Sequence, residues 1–192
     1  MLILVRHGQT TINADGRLQG RIDPELDDVG RAQAMRLGAH IREQFPGARV
    51  VSSPLVRARQ TASAITDVFE VEESFVELDY GDWDGMSMSQ VDAVQWAAWR
   101  NDPGFRPPGG ESLLELDARV RPALEALRAE SQEANVVVVT HVSPIKSAIT
   151  WALGVGADAT WRCHLDRASI TRISVVNDRV VLASMNETGH LS

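Results

Sequence analysis

Two histidines, two arginines and one carboxylate are the residues of this chain whose types could together carry chemistry: His7, His141, Arg6, Arg57 and Glu77. Guanidinium groups bind the negatively charged oxygens of a phosphoryl group in charge-assisted pairs. A neutral imidazole can attack phosphorus when its other ring nitrogen is held by an acceptor, and a carboxylic acid can protonate the departing oxygen. The set therefore predicts phosphoryl transfer through a histidine.

The positions of three of these residues suit a common site. Arg6 and His7 follow the apolar run at residues 1–5, and His141 follows the run at 135–140, which contains four consecutive valines. Both runs are typical of buried strands. Because ligands in α/β sheets bind at the carboxyl ends of strands, we expect both histidines to lie at that edge.

Predicted strands and helices alternate along most of the chain. Further strands are predicted at residues 49–52, 74–78, 169–176 and 179–184, the last two joined at Asn177 and Asp178. Helices are predicted at residues 54–69 and 86–99, and a further helix is predicted from an N-cap at Asp27 to about residue 45. Another helix is predicted to begin after an N-cap at Ser112, where Glu115 completes a capping box. The last predicted helix starts at Ser143 and has Pro144 at its first position. The apolar side of the helix after Asp27 is expected to comprise Val29, Ala32, Met35, Leu37 and Ile41. This alternation predicts a three-layer α/β/α sandwich with a mostly parallel central sheet, in one domain spanning residues 1–192.

Composition limits the partners of the chain. Its 192 residues include 19 basic and 26 acidic side chains, and the formal net charge of −7 argues against an extended nucleic-acid or anionic-membrane surface. A small anionic ligand needs only a few well-placed cations and remains compatible. Cys163 is the single cysteine, which excludes an intrachain disulfide and a zinc cluster built on cysteines. No apolar run approaches a membrane span and no signal sequence is recognisable, so we expect a cytoplasmic protein.

Sequence blocks in a fixed order carry a family resemblance. Residues 4–10, LVRHGQT, followed by Asn13, resemble the signature of the histidine phosphatase superfamily, the phosphoglycerate mutase-like proteins. Similar blocks follow at residues 18–21, 26–34, 52–62, 77–81, 108–112 and 139–141. The resemblance spans nearly the whole chain. It is strongest to the phosphatase branch, which includes acid phosphatase-like and α-ribazole phosphatase-like proteins.

The resemblance implies a role for each matching residue. His7 would be the nucleophile that becomes phosphorylated, and Glu77 would be the proton donor. Arg6, Arg57 and His141 would surround the phosphoryl group. The approach to it would be lined by Thr10, Asn13, Gln19, Gly20 and Val142. The resemblance further implies a small-molecule phosphate ester as substrate, a histidine acid phosphatase type of activity, and neither a cofactor nor a metal.

Two departures from the family pattern affect the expected activity. Val142 stands where the family usually has glycine after the second histidine, and it is followed by Ser143 and Lys146, which either contact substrate or have structural roles. The insert between Glu77 and His141 is short and lacks the basic cluster with which mutases hold a carboxylate. This favours a phosphatase over a mutase. Mutase-type transfer and a non-catalytic phospholigand-binding protein remain alternatives, although binding alone would not require the acid Glu77.

Other chemically capable residues have simpler interpretations. Arg59 lies about 200° around a helix from Arg57 and is expected to be a surface residue. Cys163 is expected to be buried and inert. Isolated histidines are interpreted as packing or surface residues, namely His40, His164 and His190. An aromatic wall over the leaving group and a core stripe are equally compatible with Trp96, Trp99 and Phe105. The sequence leaves a monomer and a homodimer open.

Overall fold

Strands and helices alternate in the computed structural model, which describes residues 1–177 and 179–192. The strands are β1 (Leu2–Arg6), β2 (Arg49–Ser52), β3 (Glu70–Val71), β4 (Val136–Thr140), β5 (Ile170–Val176) and β6 (Arg179–Glu187). The helices are α1 (Thr11–Ala14), α2 (Asp28–Gln44), α3 (Val56–Ser63), α4 (Ala93–Asn101), α5 (Leu113–Glu133) and α6 (Val142–Leu153). The predicted pairing of the last two strands is confirmed, while Asp178 in the predicted turn lies outside the described residues.

One sheet joins the six strands in the order β3-β2-β4-β1-β5-β6. β1 to β4 are parallel to one another, whereas β5 pairs antiparallel with both β1 and β6. Arg6 at the end of β1 lies opposite Thr140 at the end of β4. Ser52 at the end of β2 lies opposite Val139. The carboxyl ends of three adjacent strands therefore meet at one edge of the sheet.

Both faces of the sheet are covered, which explains the continuous apolar runs of β1 and β4. Leu2 and Leu4 pack into a hydrophobic cluster that also contains residues of α5 and α6. Ile3 and Val5 point to the opposite face and pack into a cluster with residues of α2 and α3. The predicted three-layer α/β/α architecture is confirmed.

Two predicted helix starts are confirmed by their capping contacts. The Asp27 side chain accepts a hydrogen bond from the Gly30 amide at 2.7 Å, so α2 begins at the next residue. Ser112 and Glu115 form a reciprocal capping box at the start of α5. Such caps satisfy amides that have no partner within the first helical turn.

Several boundaries differ from the predictions. The helix predicted at 54–69 is limited to α3, and that predicted at 86–99 is a 3₁₀ turn at Met88–Gln90 followed by α4. The Asp92 side chain accepts from the amides of Val94 and Gln95 and thereby separates the two. Pro144 is the third residue of α6 rather than its first.

Two local predictions are wrong. Val29 and Met35 of α2 are 52% and 65% exposed, and Ala32 is exposed as well. The helix instead buries a narrow face that contains Gly30, Ala34 and Leu37. The strand predicted at 74–78 is instead a 3₁₀ turn at Glu73–Phe75 followed by irregular chain. Arg119 of α5 donates to the carbonyls of Ser74 and Val76, both at 2.8 Å, so these groups are held by a side chain instead of a neighbouring strand.

Within residues 1–177 and 179–192, no helix is both long enough and apolar enough to cross a membrane.

Candidate active site

The site is built at the ends of three adjacent parallel strands. His7 follows β1 and His141 follows β4, and their ring centroids are 5.0 Å apart. The backbone continues the sheet here, since the His7 amide donates to the Thr140 carbonyl at 3.0 Å and the Ser53 amide donates to the Val139 carbonyl at 2.9 Å. The strand-end prediction for the two histidines is confirmed.

One nitrogen of the buried His7 ring has its hydrogen-bond role fixed by the backbone. Nδ1 lies 2.7 Å from the Gly8 carbonyl oxygen, which can only accept, so Nδ1 carries the proton. Arg57 Nε donates to Nε2 at 3.3 Å, as a neutral imidazole allows. Burial holds the pKa of His7 well below its ordinary value, and the Arg57 and Arg6 guanidiniums lower it further. The ring is therefore neutral, with its lone pair on Nε2.

Arg57, the second residue of α3, is fully buried and held from several sides. Its two terminal nitrogens donate to the carbonyls of Gly20 and Ile22, each at 2.8 Å. Its Nη1 also lies 3.6 Å from a carboxylate oxygen of Asp23. Burial lowers the pKa of Arg57, although a guanidinium remains charged at neutral pH. A buried cation is thus fixed directly beside the lone pair of His7.

Asp84 fixes the loop that holds Arg57. Its carboxylate accepts from the amides of Gly20 and Arg21 at 2.7 Å and of Ile22 at 2.8 Å. Gly20 has no room for a side chain, because an added Cβ would lie 2.5 Å from the Leu78 carbonyl oxygen. The loop is therefore held against residues 78–84, a segment that is distant from it in sequence.

His141 is oriented by Ser53. The Ser53 hydroxyl lies 2.7 Å from His141 Nε2, and His141 Nδ1 is buried with no partner in the part of the chain described. The pKa of His141 is also held well below its ordinary value, by burial first and then by the charge of Arg57. If the hydroxyl donates to Nε2, the proton of the neutral ring is on Nδ1 and can be donated to a ligand.

Four buried nitrogens of predicted site residues lack an acceptor within residues 1–177 and 179–192: Arg6 Nε, Asn13 Nδ2, Gln19 Nε2 and His141 Nδ1. The Thr10 hydroxyl donates to Gln19 Oε1 at 2.7 Å, and the Thr10 amide donates to Asn13 Oδ1 at 3.0 Å. The side-chain amides of Asn13 and Gln19 therefore direct their NH₂ groups away from Thr10. Buried donors without acceptors are costly, and a group rich in oxygen atoms would satisfy them.

Arg6 is anchored through one terminal nitrogen. Its Nη1 donates to the Leu165 carbonyl at 2.6 Å, while Nε stays unpaired among the described residues. Burial lowers the pKa of Arg6 to about 10, so its guanidinium keeps its charge at neutral pH. With Arg57 it gives the site two cations.

Glu77 lies at the start of α6 rather than at a strand end. Its carboxylate accepts from the Ser143 amide, at 3.2 and 3.5 Å for the two oxygens, and from the Leu78 amide at 2.7 Å. The side chain is buried. Arg119 also donates to the Glu77 carbonyl at 3.1 Å. An irregular segment thus brings a carboxyl group to the helix that directly follows His141.

Two predicted pocket contributors have mainly packing contacts. Val142 is the half-buried first residue of α6 and packs against the cluster around Leu2 and Leu4. Trp99 is buried, with its ring centroid 5.7 Å from Tyr80 and 4.5 Å from Trp161. The other predicted aromatic residues pack against the same cluster, namely Trp96 and Phe105. These contacts favour the core interpretation of the aromatic residues.

The structure also tests the residues with simpler interpretations. Arg59 is exposed, as predicted. His40 and His190 stack with ring centroids 5.2 Å apart and His164 is exposed, which confirms their packing or surface placement. Cys163 is half-buried, so its predicted burial is wrong. Across the described positions, no group of three histidine, cysteine, aspartate or glutamate side chains is placed to hold a metal ion.

Four residues of the site region were missed by sequence reasoning: Ser53, Asp84, Arg119 and Arg167. Arg167 donates to Gln9 Oε1 at 2.7 Å and to the Asn13 carbonyl, which fixes the loop after β1. Asp84, Arg119 and Arg167 bind backbone and loop groups of distant segments, and none of them lies in a recognisable sequence motif. Ser53 lies inside the block 52–62 that resembles the family, so the sequence offered a reason to consider it as a site residue.

An α/β sandwich whose adjacent parallel strand ends gather two neutral histidines and two arginines offers a site that suits an anionic group rich in oxygen atoms. The sequence model of the histidine phosphatase superfamily (branch 1) matches residues 2–188. The chain belongs to this superfamily, as its motifs predict.

Named relatives agree with this membership. A bifunctional protein of Mycobacterium tuberculosis is 35% identical over 198 residues, covering 99% of this chain but 54% of that protein, so the chain spans about half the length of this relative. Phosphoserine phosphatase 1 of Hydrogenobacter thermophilus is 34% identical, covering 99% of this chain and 93% of that protein. A crystal structure of a phosphoserine phosphatase mutant from Entamoeba histolytica with phosphoserine has a TM-score of 0.91 at 28% identity, covering 100% of this chain and 98% of that one. Two of these three relatives are named as phosphatases.

Proposed function

We propose that the protein is a cofactor-independent phosphomonoesterase that hydrolyses small phosphate esters through a phosphohistidine on His7. The observation that carries this proposal is the 2.7 Å contact between His7 Nδ1 and the Gly8 carbonyl. It leaves the Nε2 lone pair facing the Arg57 guanidinium, where an anionic phosphoryl group would bind. The phosphoserine phosphatases among its relatives support a small ester as substrate.

In the first step, His7 Nε2 attacks phosphorus and the bond between phosphorus and the ester oxygen breaks. The phosphoryl oxygens replace the 3.3 Å contact between Arg57 and His7 and accept from Arg6, His141 and the free amide groups of Asn13 and Gln19. Protonated Glu77 gives its proton to the leaving oxygen. The Gly8 carbonyl stabilises the positive ring that results.

In the second step, a water molecule attacks the phosphohistidine. Glu77, now a carboxylate, accepts the proton of that water, the nitrogen–phosphorus bond breaks, and phosphate and neutral His7 are released. The same carboxyl group thus acts as acid and then as base, which its position beside Ser143 at the start of α6 allows.

Trapping the intermediate tests this mechanism. Incubation with p-nitrophenyl phosphate and rapid denaturation should yield a phosphoprotein that is labile in acid and stable in base, as a phosphoramidate is. His7→Ala should form none. His40→Asn is the matched control, because His40 stacks on His190 at 5.2 Å and should not accept phosphate. A His7→Ala protein that still turns over the ester at the normal rate would disprove the proposal.

The fate of the phosphoryl group separates the alternatives. A phosphatase releases one phosphate for each alcohol formed, which a phosphate assay measures directly. Transfer to a second hydroxyl without phosphate release would instead indicate a mutase. Tight phosphate binding with no turnover of any ester would indicate a phospholigand-binding protein.

A further inference from the structure

A cavity of about 650 Å³ lies between α2 and α3, apart from the candidate active site. Its walls come from the loop before α2, from both helices and from the chain that follows α3. No residue that lines it takes part in the proposed mechanism. Small-molecule sites have volumes of about 300–1,000 Å³, so the cavity is large enough to hold a ligand.

The packing of the two helices explains this cavity. At one end α2 and α3 are in close contact, because a Cβ added to Gly38 would overlap the Ala64 carbonyl oxygen. Beside this contact, the cavity is lined by short side chains that leave the space unfilled, namely Ala34, Ser63 and Ala64. The cavity thus lies between two fixed helices, and a ligand would find it already formed.

Most of the residues that line the cavity are apolar. Leu26 and Ala34 are buried, Val56 and Phe69 are half-buried, and Met35 is 65% exposed. A methionine side chain is flexible and adapts to the shape of a bound molecule. Covering this apolar surface is favourable, so the cavity suits an alkyl chain.

The charge of the cavity differs from that of the whole chain. The chain has 26 acidic and 19 basic residues, whereas the charged residues among the described cavity walls are two arginines, Arg31 and Arg59. Arg31 pairs with Asp28 at 2.6 Å and donates to the Leu26 carbonyl. Arg59 forms neither a hydrogen bond nor an ion pair with the residues that the structure describes. Its guanidinium is therefore available to an anion.

We infer that this cavity binds an amphipathic carboxylate, with the alkyl chain against the apolar wall and the carboxylate on Arg59. A guanidinium binds a carboxylate through two parallel hydrogen bonds. One available guanidinium matches a single charge. A phosphate monoester carries about −1.5 to −2 at neutral pH and would exceed it. The inference does not depend on the proposed function.

A second copy of the chain suits this surface less well. A twofold interface would place the surface against itself. Arg31 and Arg59 of one copy would then face the same pair of the other copy, and like charges across an interface are unfavourable. No acidic residue of the described cavity walls would offset this repulsion.

The cavity lies on the opposite side of α3 from the buried Arg57. Gln60 Oε1 accepts from the Leu26 amide at 2.8 Å, and the Val56 amide donates to the two Asp23 carboxylate oxygens at 2.8 and 3.0 Å. These contacts join the cavity wall to the loop that holds Arg57. A ligand there would not contact a bound phosphoryl group, so phosphate and a carboxylate should bind at the same time.

Calorimetric titration of the full chain with decanoate, below its micelle concentration, tests the inference. We expect saturable binding at one site. Octanoate should bind about 5- to 15-fold more weakly, because each buried CH₂ group strengthens binding by up to about fourfold. Decyltrimethylammonium has a chain of the same length but a positive head group, and it should show no saturable binding.

Variants and labelled methionines test the position of the ligand. Arg59→Gln should weaken decanoate binding about 10-fold, the lower end for a hydrogen bond to a charged group, because Arg59 is exposed. Arg59→Lys should keep part of the affinity. Arg162→Gln changes an exposed arginine outside the cavity and should have no effect. In nuclear magnetic resonance with ¹³C-methyl methionine, decanoate should shift the signal of Met35 and leave that of Met185, which is 38% exposed elsewhere.

Four results would overturn the inference. The first is the absence of saturable decanoate binding, and the second is an unchanged affinity in Arg59→Gln. The third is displacement of decanoate by inorganic phosphate, which would place the carboxylate in the candidate active site instead. The fourth is a dimer in light scattering that Met35→Glu dissociates, which would show that a second copy covers the cavity.

Discussion

The two sides of the candidate site are built from different kinds of backbone. On the phosphoryl side, His7 and His141 follow neighbouring strands and Arg57 opens a helix, so regular hydrogen bonds fix all three. On the side of Glu77, the chain between β3 and α4 contains three short 3₁₀ turns and no long element. Side chains of other segments hold it in place, with Arg119 binding three of its carbonyls.

The side with His7, His141 and Arg57 would bind the phosphoryl group, which every substrate shares. The side with Glu77 would contact the leaving group, which differs from one substrate to another. All phosphate monoesters present the same tetrahedral group, which a rigid sheet edge can match. Leaving groups differ in size and charge, and loops accept changes in sequence more readily than strands do. We therefore expect substitutions on the phosphoryl side to affect all esters equally and substitutions on the Glu77 side to affect them selectively.

The largest selective effect is expected for Glu77→Gln. The amide cannot donate an acidic proton, so hydrolysis of alkyl phosphates should slow by about 10²- to 10⁴-fold, the usual contribution of general acid catalysis. p-Nitrophenolate departs without a proton and should be affected much less in the first step. The kcat/KM values for an alkyl and an aryl ester measure this, because they cover the steps up to departure of the leaving group and not the later hydrolysis, in which Glu77 acts as base. Equal slowing of both would remove Glu77 from the acid role and weaken the comparison.

A uniform effect is expected for Arg57→Gln. This variant removes a buried charge that would face the phosphoryl oxygens, so kcat should fall by about 10²- to 10³-fold for aryl and alkyl esters alike, as when one oxyanion donor is lost. Arg59→Gln changes an exposed arginine of the same helix and should retain wild-type rates. A loss limited to one class of ester would contradict the assignment of Arg57 to the phosphoryl side.

Asp84 links the two sides, and we expect an intermediate effect. Asp84→Ala frees three amides of the loop that holds Arg57, and about a 10-fold loss of kcat is expected because small misplacements of catalytic groups are costly. Asp84→Asn keeps an acceptor and should recover part of it. Asp82→Asn, an exposed acid of the same turn, is the control. An unchanged kcat with a lower melting temperature would show that Asp84 acts on stability alone.

The smallest effect is a change in the titration of His7. Burial and the Arg57 charge hold the pKa of His7 below its ordinary value of 6.5, so the ring stays neutral as pH falls through that value. Arg57→Gln removes one of these causes and should raise the pKa, moving protonation to higher pH. Nuclear magnetic resonance of the imidazole in the free protein measures this directly. A pKa that is unchanged or lower in the variant would contradict the electrostatic account.

The phosphoryl side was also the easier side to predict from the sequence. Strands buried on both faces leave continuous apolar runs, and His7 and His141 follow two of them directly. The segment around Glu77 also contains apolar residues, but side chains such as Arg119 hold its carbonyls in place of a neighbouring strand, so the strand predicted at 74–78 does not form. The contacts of Asp84 and Arg119 join side chains to backbone groups of distant segments, and sequence periodicity carries no information about such contacts.

The orientation of Arg57, which is fixed before a ligand binds, has a consequence for turnover. Its terminal nitrogens are bound to the Gly20 and Ile22 carbonyls before any ligand arrives, so little conformational freedom is lost when an anion binds. Inorganic phosphate, the product, presents the same oxygens as the ester. We expect it to compete strongly with substrate, so that accumulating phosphate would slow the enzyme and give a simple form of product inhibition.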